Sequence, residues 1–493
     1  MNVIDTSRPA RRAPVTTHGP KRAASNDKLP IAVIGGGFSG TMVAIHLASL
    51  LSSDQPILLC ESDRLCRGAA YGTPNPGHML NVRAANMSAF PRQADQFDRW
   101  LDAARIECPD EVLDTEVGRF ASRGLYGRYL SSLLNRVIDG APARVALLPR
   151  EVTDIVPGGD RYHLICANGA THPVAGVVLA VGNVPSVSAS SPLCRNNPWA
   201  ADTLSDLAPD KPVLIIGTGL TMVDLALDLR ARGFEGPVIA VSRRGLLPHR
   251  HAATQPWPTP VFSTEERGSL LKLVGRIRCE TREAAELGVN WRSVIDSLRS
   301  VTSDLWQGLP PGERQRFLRH VRPYWDVHRH RLAPPVADQL TALLAQTFLT
   351  VRRARIAGIA FCETEAEVTL KLHGVAVPEQ LTVQRVINAT GLQTAIGADS
   401  RLIGNLCRRG LVRPDRLALG LDVTEALQAV GPDGTATPNL WALGPVVRGV
   451  FWECIAVPDI RSQAEHLSRR ICGLFGATGH ETPDMDAPRP RAV

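Results

Sequence analysis

The chain has 493 residues, 44% of them hydrophobic and 21% charged. That length exceeds one ordinary core and implies about three folding units or two large ones, and no apolar run approaches the roughly 20 residues of a membrane span. The formal charge of +7 comes from arginine rather than lysine, which suits phosphate and carboxylate ligands, while nucleic acid is not the expected partner because no recognition module accompanies the charge.

Residues 1–28 carry arginines among Pro, Ser and Thr without the apolar stretch of an export signal, so they read as a disordered leader. The run Ile31-Ala32-Val33-Ile34 then leads into Gly35, Gly37 and Gly40, a G-x-G-x-x-G, and an apolar helical pattern follows through Leu50. Glycines here turn the chain, admit a pyrophosphate and let the helix pack closely, while the helix N-terminus offers free N–H groups to the anion. The strand Pro56-Ile57-Leu58-Leu59-Cys60 ends in Glu61, placed about twenty residues beyond the last glycine, where an acid binds ribose hydroxyls.

Residues 66–91 mix glycine, proline and polar side chains without periodicity, the mark of an ordered, function-bearing loop. Helical patterns at 96–104 and 125–138 precede strand-like runs at 144–148, 152–156, 162–167 and 174–181, the last turning at Gly182-Asn183. A polar, proline-bearing linker spans 186–212. Val213-Leu214-Ile215-Ile216 then enters Gly217-Thr218-Gly219-Leu220-Thr221-Met222, a second strand, turn and helix in which Met222 replaces the third glycine. The next strand ends in Ser242-Arg243-Arg244 rather than an acid, which favours NADPH over NADH through the 2′-phosphate.

Residues 263–346 break the α/β rhythm with helical patterns. Their run from Arg314 to Arg331 is rich in arginine, histidine and aromatics, and reads as lining an anionic-substrate pocket, as receiving cofactor phosphates, or as a solvated helix face. The His-Arg-His triplets at 249–251 and 328–330 lack carboxylate or cysteine partners at ligand spacing, so no metal is expected. Strands recur at 356–362, 367–372, 384–387 and 439–443, and Pro458 opens a C-terminal helix with Ile460, Ala464, Leu467 and Ile471 on one face. The ten cysteines are scattered without C-x-x-C, as in a reduced cytoplasmic protein.

Two dinucleotide turns imply an α/β protein with two Rossmann-like domains, presenting FAD on the first and a nicotinamide on the second for hydride transfer. The FAD-binding domain spans 29–190 and 386–475. The NAD(P)-binding domain, 205–385, is inserted in it and carries the helical module 263–346, and residues 476–493 form a disordered tail.

The motifs GGGFSG at 35–40, GLYGRYL at 124–130, GTGLTMVD at 217–224, YWDVHRHR at 324–331, NATG at 388–391 and LGPVVRGVFWECIAVPDIR at 443–461, with the loop 66–91, resemble the FAD/NAD(P)-binding flavoproteins that include FAD-dependent urate hydroxylase. That family is related to flavin-containing and N-hydroxylating monooxygenases. The resemblance implies that Gly35, Gly37, Phe38, Ser39, Gly40 and Glu61 hold the ADP half of FAD, with Arg128 also on the cofactor. Tyr71, His78 and Asn81 approach the isoalloxazine, and Gly444 and Pro445 meet the ribityl chain, where related proteins carry G-D. Gly217, Gly219, Thr221, Arg243 and Arg244 bind NAD(P)H. Catalytic roles fall to Asn81, Trp452 and His78, with Glu453 and Asp326 as further candidate bases and Phe451 and the Trp325 region excluding water. The implied activity is an NAD(P)H-consuming monooxygenase using oxygen on a small anionic heterocycle such as urate. The alternatives are a non-oxygenating flavin reductase or dehydrogenase and a non-catalytic redox sensor.

Overall fold

The strand Ile31–Ile34 lies at the centre of the first sheet, parallel to Ile57–Cys60 on one side and to Gly176–Leu179 on the other. Val145–Leu148 extends the sheet beyond the former and Ala436–Ala442 beyond the latter, and antiparallel Gln428–Val430 closes the edge. The computed structural model describes residues 28–182, 191–200, 202–391 and 400–476. The expected leader up to residue 27, Asn183, part of the linker and the tail from 477 lie outside the described residues.

Ile31–Ile34 and Gly176–Leu179 are buried throughout, the burial that unbroken apolar runs demand of a parallel sheet covered on both faces. Helix Phe38–Leu50 is buried on nearly every side because the C-terminal helix Val457–Phe475 packs against it. The latter turns Ile460, Ala464, Leu467 and Ile471 inward, as their spacing requires. The run expected as one strand over 174–181 divides at Ala175. Thr171–Val174 closes an antiparallel meander with Val152–Gly158 and Arg161–Cys166, while Gly176–Leu179 enters the parallel sheet.

The second sheet repeats the plan. Val213–Ile216 lies between Val238–Ser242 and Arg385–Asn388, with Leu349–Phe361 beyond the first and Cys194–Arg195 beyond the second. Two expected boundaries therefore move. Arg385–Asn388 straddles the division drawn at 385/386 yet pairs wholly with Val213–Ile216, and the sheet also takes Cys194–Arg195 from before residue 205. Leu349–Phe361 starts parallel to Val238–Ser242 and ends antiparallel to Ala366–Leu372, so here the meander is fused to the main sheet.

The helices between Thr264 and Arg329 share a separate core around Leu298, Trp306 and Phe317, which reaches across to Leu419 and Trp452. Helix Pro334–Ala345, expected within the module 263–346, instead sets Val336, Leu340 and Leu343 into the core of the second sheet. An apolar helical face does not reveal which neighbour will cover it.

A Cβ on Gly40 would lie 1.8 Å from the Gly35 carbonyl oxygen, so the helix sits against the turn with no room for a methyl group. Gly40→Ala is expected to overpack this contact by about 1–3 kcal/mol. The check is a fall in the urea unfolding midpoint; an unchanged midpoint contradicts the packing described.

Candidate cofactor and substrate site

Gly35 and Gly217 occupy the left-handed region at φ +101° and +114°, and a Cβ on either would collide with the neighbouring strand's end, 2.4 Å from the Ala180 oxygen and 2.5 Å from that of Ala389. A Cβ on Gly37 would meet only Gly68 at 3.6 Å, and one on Gly219 nothing within 4 Å, which leaves both backbones open to a ligand. No side chain caps helix Phe38–Leu50 or helix Leu220–Ala231, so their first N–H groups remain available to an anion. At the position matching Gly40, Met222 is fully buried in the second core.

Both turns line one cavity of about 1790 Å³. Gly35, Gly37, Phe38, Ser39 and Glu61 face it from the first unit, and Gly217, Gly219, Thr221, Arg243 and Arg244 from the second. Glu61 Oε2 accepts the Gly36 N–H at 2.8 Å, and Oε1 accepts that of Asp63 at 3.3 Å, so the acid braces the turn it stands beside. Arg243 is exposed at the cavity edge, and Arg244 lies over the Tyr324 ring at 5.3 Å. Tyr71, Asn81 and Pro445 also line the cavity. Gly444 lies behind it, donating its N–H to Gln463 Oε1 at 3.2 Å, where a Cβ would press on Ser39 Oγ. Gly40 serves the helix packing described above.

Arg128, His78 and Trp452 also lie off the cavity surface. Arg128 does not line the cavity: its helix Arg123–Gly140 turns Arg123 inward and packs Gly127 against Tyr71, which rotates Arg128 away to donate to Cys108 Sγ at 3.0 Å. His78 is buried behind the wall, 2.7 Å from Thr73 Oγ1 and 3.9 Å from an Asp228 carboxylate oxygen, and burial lowers its pKa. Trp452 adopts φ +58°, which reverses the chain and drives its ring into the helical module, stacked on Trp306 at 4.9 Å and edge-on to Phe317 at 5.0 Å. Phe451 likewise stays off the cavity surface, packed on the first core.

Of the two further acids, Asp326 lines the cavity and Glu453 lies behind it, receiving the Trp325 Nε1–H at 3.3 Å. Burial raises both carboxyl pKa values. Around Asp326 the wall is basic: Arg299, Arg322, Arg329, Arg331 and Arg448 line it beside His330, whose pKa burial pushes down to about 3. The run ending at Arg331 is thus divided: Arg322, Arg329, His330 and Arg331 face the cavity, whereas Arg316, Arg319 and His320 are exposed. Arg448 escaped the sequence reading because nothing in a pattern shows that a lone arginine is buried. His249 and His328 pack ring to ring at 4.7 Å beside Trp291. Among the described residues no cluster of three or more His, Cys, Asp or Glu side chains is arranged to hold a metal ion.

The two units are latched across the cavity. Arg123 pairs with buried Asp224 at 3.0 Å, and His251 Nε2 meets the Asn81 carbonyl oxygen at 3.0 Å. The glycine cradles, uncapped helix ends and basic rim fit a pair of dinucleotides such as FAD and NADPH.

Residues 32–184 match a protein family described as FAD-NAD(P)-binding. An uncharacterized protein of Mycobacterium tuberculosis is 23% identical over 521 residues, covering 90% of this chain and 95% of that protein. L-aspartate N-monooxygenase (nitrosuccinate-forming) of Streptomyces cremeus is 32% identical over 200 residues, covering 32% of this chain and 29% of that enzyme. Among solved structures, the ornithine N-hydroxylase of Kutzneria sp. 744 superposes with a TM-score of 0.60 at 14% identity, covering 90% of this chain and 99% of that one. The chain therefore shares the fold of that ornithine N-hydroxylase, and its residues 32–184 match an FAD-NAD(P)-binding family. Among the described residues no helix is long and apolar enough to cross a membrane.

Burial pushes the His251 pKa down to about 4, so the unfolded chain takes up this proton near its ordinary value of about 6.5 and the folded chain does not. The folded-state benefit is present above that value and is lost as pH falls from about 6.5 towards 4. His251→Gln, which cannot titrate, is expected to lose less stability than wild type between pH 7 and pH 5, as measured by urea midpoints; parallel losses contradict this.

Proposed function

We propose that this protein is an FAD-dependent, NADPH-consuming monooxygenase that oxygenates a small substrate at an amino nitrogen. The observation carrying this reading is that both glycine turns open into the same cavity, so two dinucleotides held there meet across one space. FAD would supply oxygen activation and NADPH the hydride. Gly35, Gly37 and the N-terminus of helix Phe38–Leu50 hold the first pyrophosphate, and Gly217, Gly219 and Thr221 the second. Arg243 and Arg244 receive the 2′-phosphate.

The substrate lies on the basic wall. Trp306, Phe317 and Trp452 back that wall as a packed aromatic cluster and limit entry of water from the module side. Amine oxygenation is supported by the reactions named for the Streptomyces and Kutzneria enzymes. Urate hydroxylation draws support only from the positive charge of the wall. A thiol-directed reductase fits less well. Cys60 is the cysteine lining the cavity among the described residues, and burial pushes its thiol up to about 12, far from a reactive thiolate.

Holoenzyme supplied with NADPH, amino-acid substrates and isotopically heavy O2 is expected to form a product carrying one heavy oxygen atom, with NADPH and O2 consumed in equal amounts. Substrate-independent release of all the oxygen as hydrogen peroxide overturns the reading. Replacing both Arg243 and Arg244 with Ala is expected to raise the KM for NADPH about tenfold or more while leaving that for NADH nearly unchanged. Equal effects on the two cofactors contradict the phosphate assignment.

A further inference from the structure

The basic wall contains one guanidinium with no direct hydrogen bond or ion pair of its own among the described residues. Arg299 holds Asp459 through two hydrogen bonds of 2.8 and 3.3 Å, and Arg331 bonds Asp296. Arg322 Nε donates to Asp326 at 3.3 Å, and Arg329 forms an ion pair with Glu453 at 3.6 Å. Those four pairs engage the four carboxylates of the corner, although Asp326 Oδ1 accepts no hydrogen bond and both Asp326 and Glu453 also act on Arg448 from a distance. Asp415, packed behind Gly449, spends its oxygens on the Leu417 and Gly420 N–H groups.

Arg448 is the fifth guanidinium. Its side chain makes no hydrogen bond or ion pair among the described residues, although the residue is only 5% exposed and Nε is fully buried. One face lies over the Trp452 ring at 4.3 Å, and the residue lines the cavity. Burial lowers its pKa to about 10, which still leaves it a cation at neutral pH. Arg331, 2% exposed, adds two buried N–H groups without partners, Nε and Nη1.

Asp326 and Glu453 act on Arg448 only from a distance, and a buried guanidinium whose N–H groups lack direct partners is costly, a cost that a bound anion would relieve. The local backbone is built to hold it. Trp306 Nε1 donates to the Gly449 oxygen at 2.9 Å, and the Trp452 N–H returns to the Arg448 oxygen at 2.8 Å across the positive-φ turn. Such a pinned, strained segment presents a donor in a fixed place.

We infer that Arg448, with the unpartnered edge of Arg331, forms a carboxylate-binding subsite, so that the substrate is a small organic acid. The subsite stands on the unpartnered buried N–H groups of Arg448 and Arg331 at the cavity; calling its ligand a substrate rests on the monooxygenase reading. A cofactor phosphate offers the same oxygens, and the test separates the two.

FAD-loaded wild type, R448M and R448K are titrated calorimetrically with succinate, L-aspartate, L-glutamate and benzoate, and with succinamide, 1,4-diaminobutane and urate as probes lacking a carboxylate. Wild type is expected to bind at least one carboxylate about tenfold or more tightly than any probe lacking one. R448M is expected to lose that affinity by a similar factor, R448K to keep part of it, and both to retain wild-type FAD content and NADPH affinity. The inference is overturned if no carboxylate binds, or if the amide, diamine or urate binds as well. It is also overturned if R448M loses FAD or NADPH while its acid affinity stands, for then the anion is a cofactor phosphate. The wild-type comparison decides between acid and neutral ligand even if R448M yields no folded protein. An acid that binds through Arg448 yet draws no oxygen uptake overturns the oxygenase reading and leaves the subsite in place.

Discussion

At Gly35 and Gly217 the backbone passes so close to the carbonyl oxygens of Ala180 and Ala389 that neither position admits a Cβ. This contact brings each central strand, its uncapped helix and the end of the returning strand together at one edge of each sheet. Because the same arrangement occurs twice, two helix N-termini open into a shared cavity, and the long loops gather where they can reach it. The lone difference at the third turn position, Gly40 against Met222, shows what the repeat tolerates. The first helix must touch its turn, whereas the second is spaced by a buried side chain.

The wall opposite those turns is governed by charge rather than by shape. The helical module presents most of the arginines, and the segment after Gly444 supplies Arg448. Each carboxylate in the corner pairs with one guanidinium, and Asp326 and Glu453 also act on Arg448, so the module and the C-terminal helix are cross-linked by ion pairs such as Arg299–Asp459 while a net positive surface remains. Arg123–Asp224 and the His251 contact with Asn81 tie the second unit to the first by the same means. Partly buried pairs of this kind are modest sources of stability but fix relative position well.

The strands, both turns and the repeated plan were legible in the sequence because apolar runs, glycine spacing and the terminal acid or arginine are local signals. Membership of a sheet was not. The four residues Arg385–Asn388 read as a strand but carry no mark of whether they pair with Val213–Ile216 or with the first sheet. At the site, the cavity-lining positions of Gly37, Tyr71, Asn81 and Arg243 followed from their place after strands or in the long loop. Arg128 was misplaced because one step along a helix rotates a side chain by about 100°. Trp452 was misplaced because a positive φ at a tryptophan cannot be anticipated from composition. Arg448 went unassigned because burial of a charge is a tertiary property.

The central claim is that the paired turns place a flavin and a nicotinamide within hydride-transfer reach of each other. Rapid mixing of FAD-loaded protein with NADPH in the absence of oxygen tests this most directly. The account predicts that the absorbance of oxidised flavin bleaches completely, and faster with NADPH than with NADH. Flavin that stays oxidised under excess NADPH contradicts it.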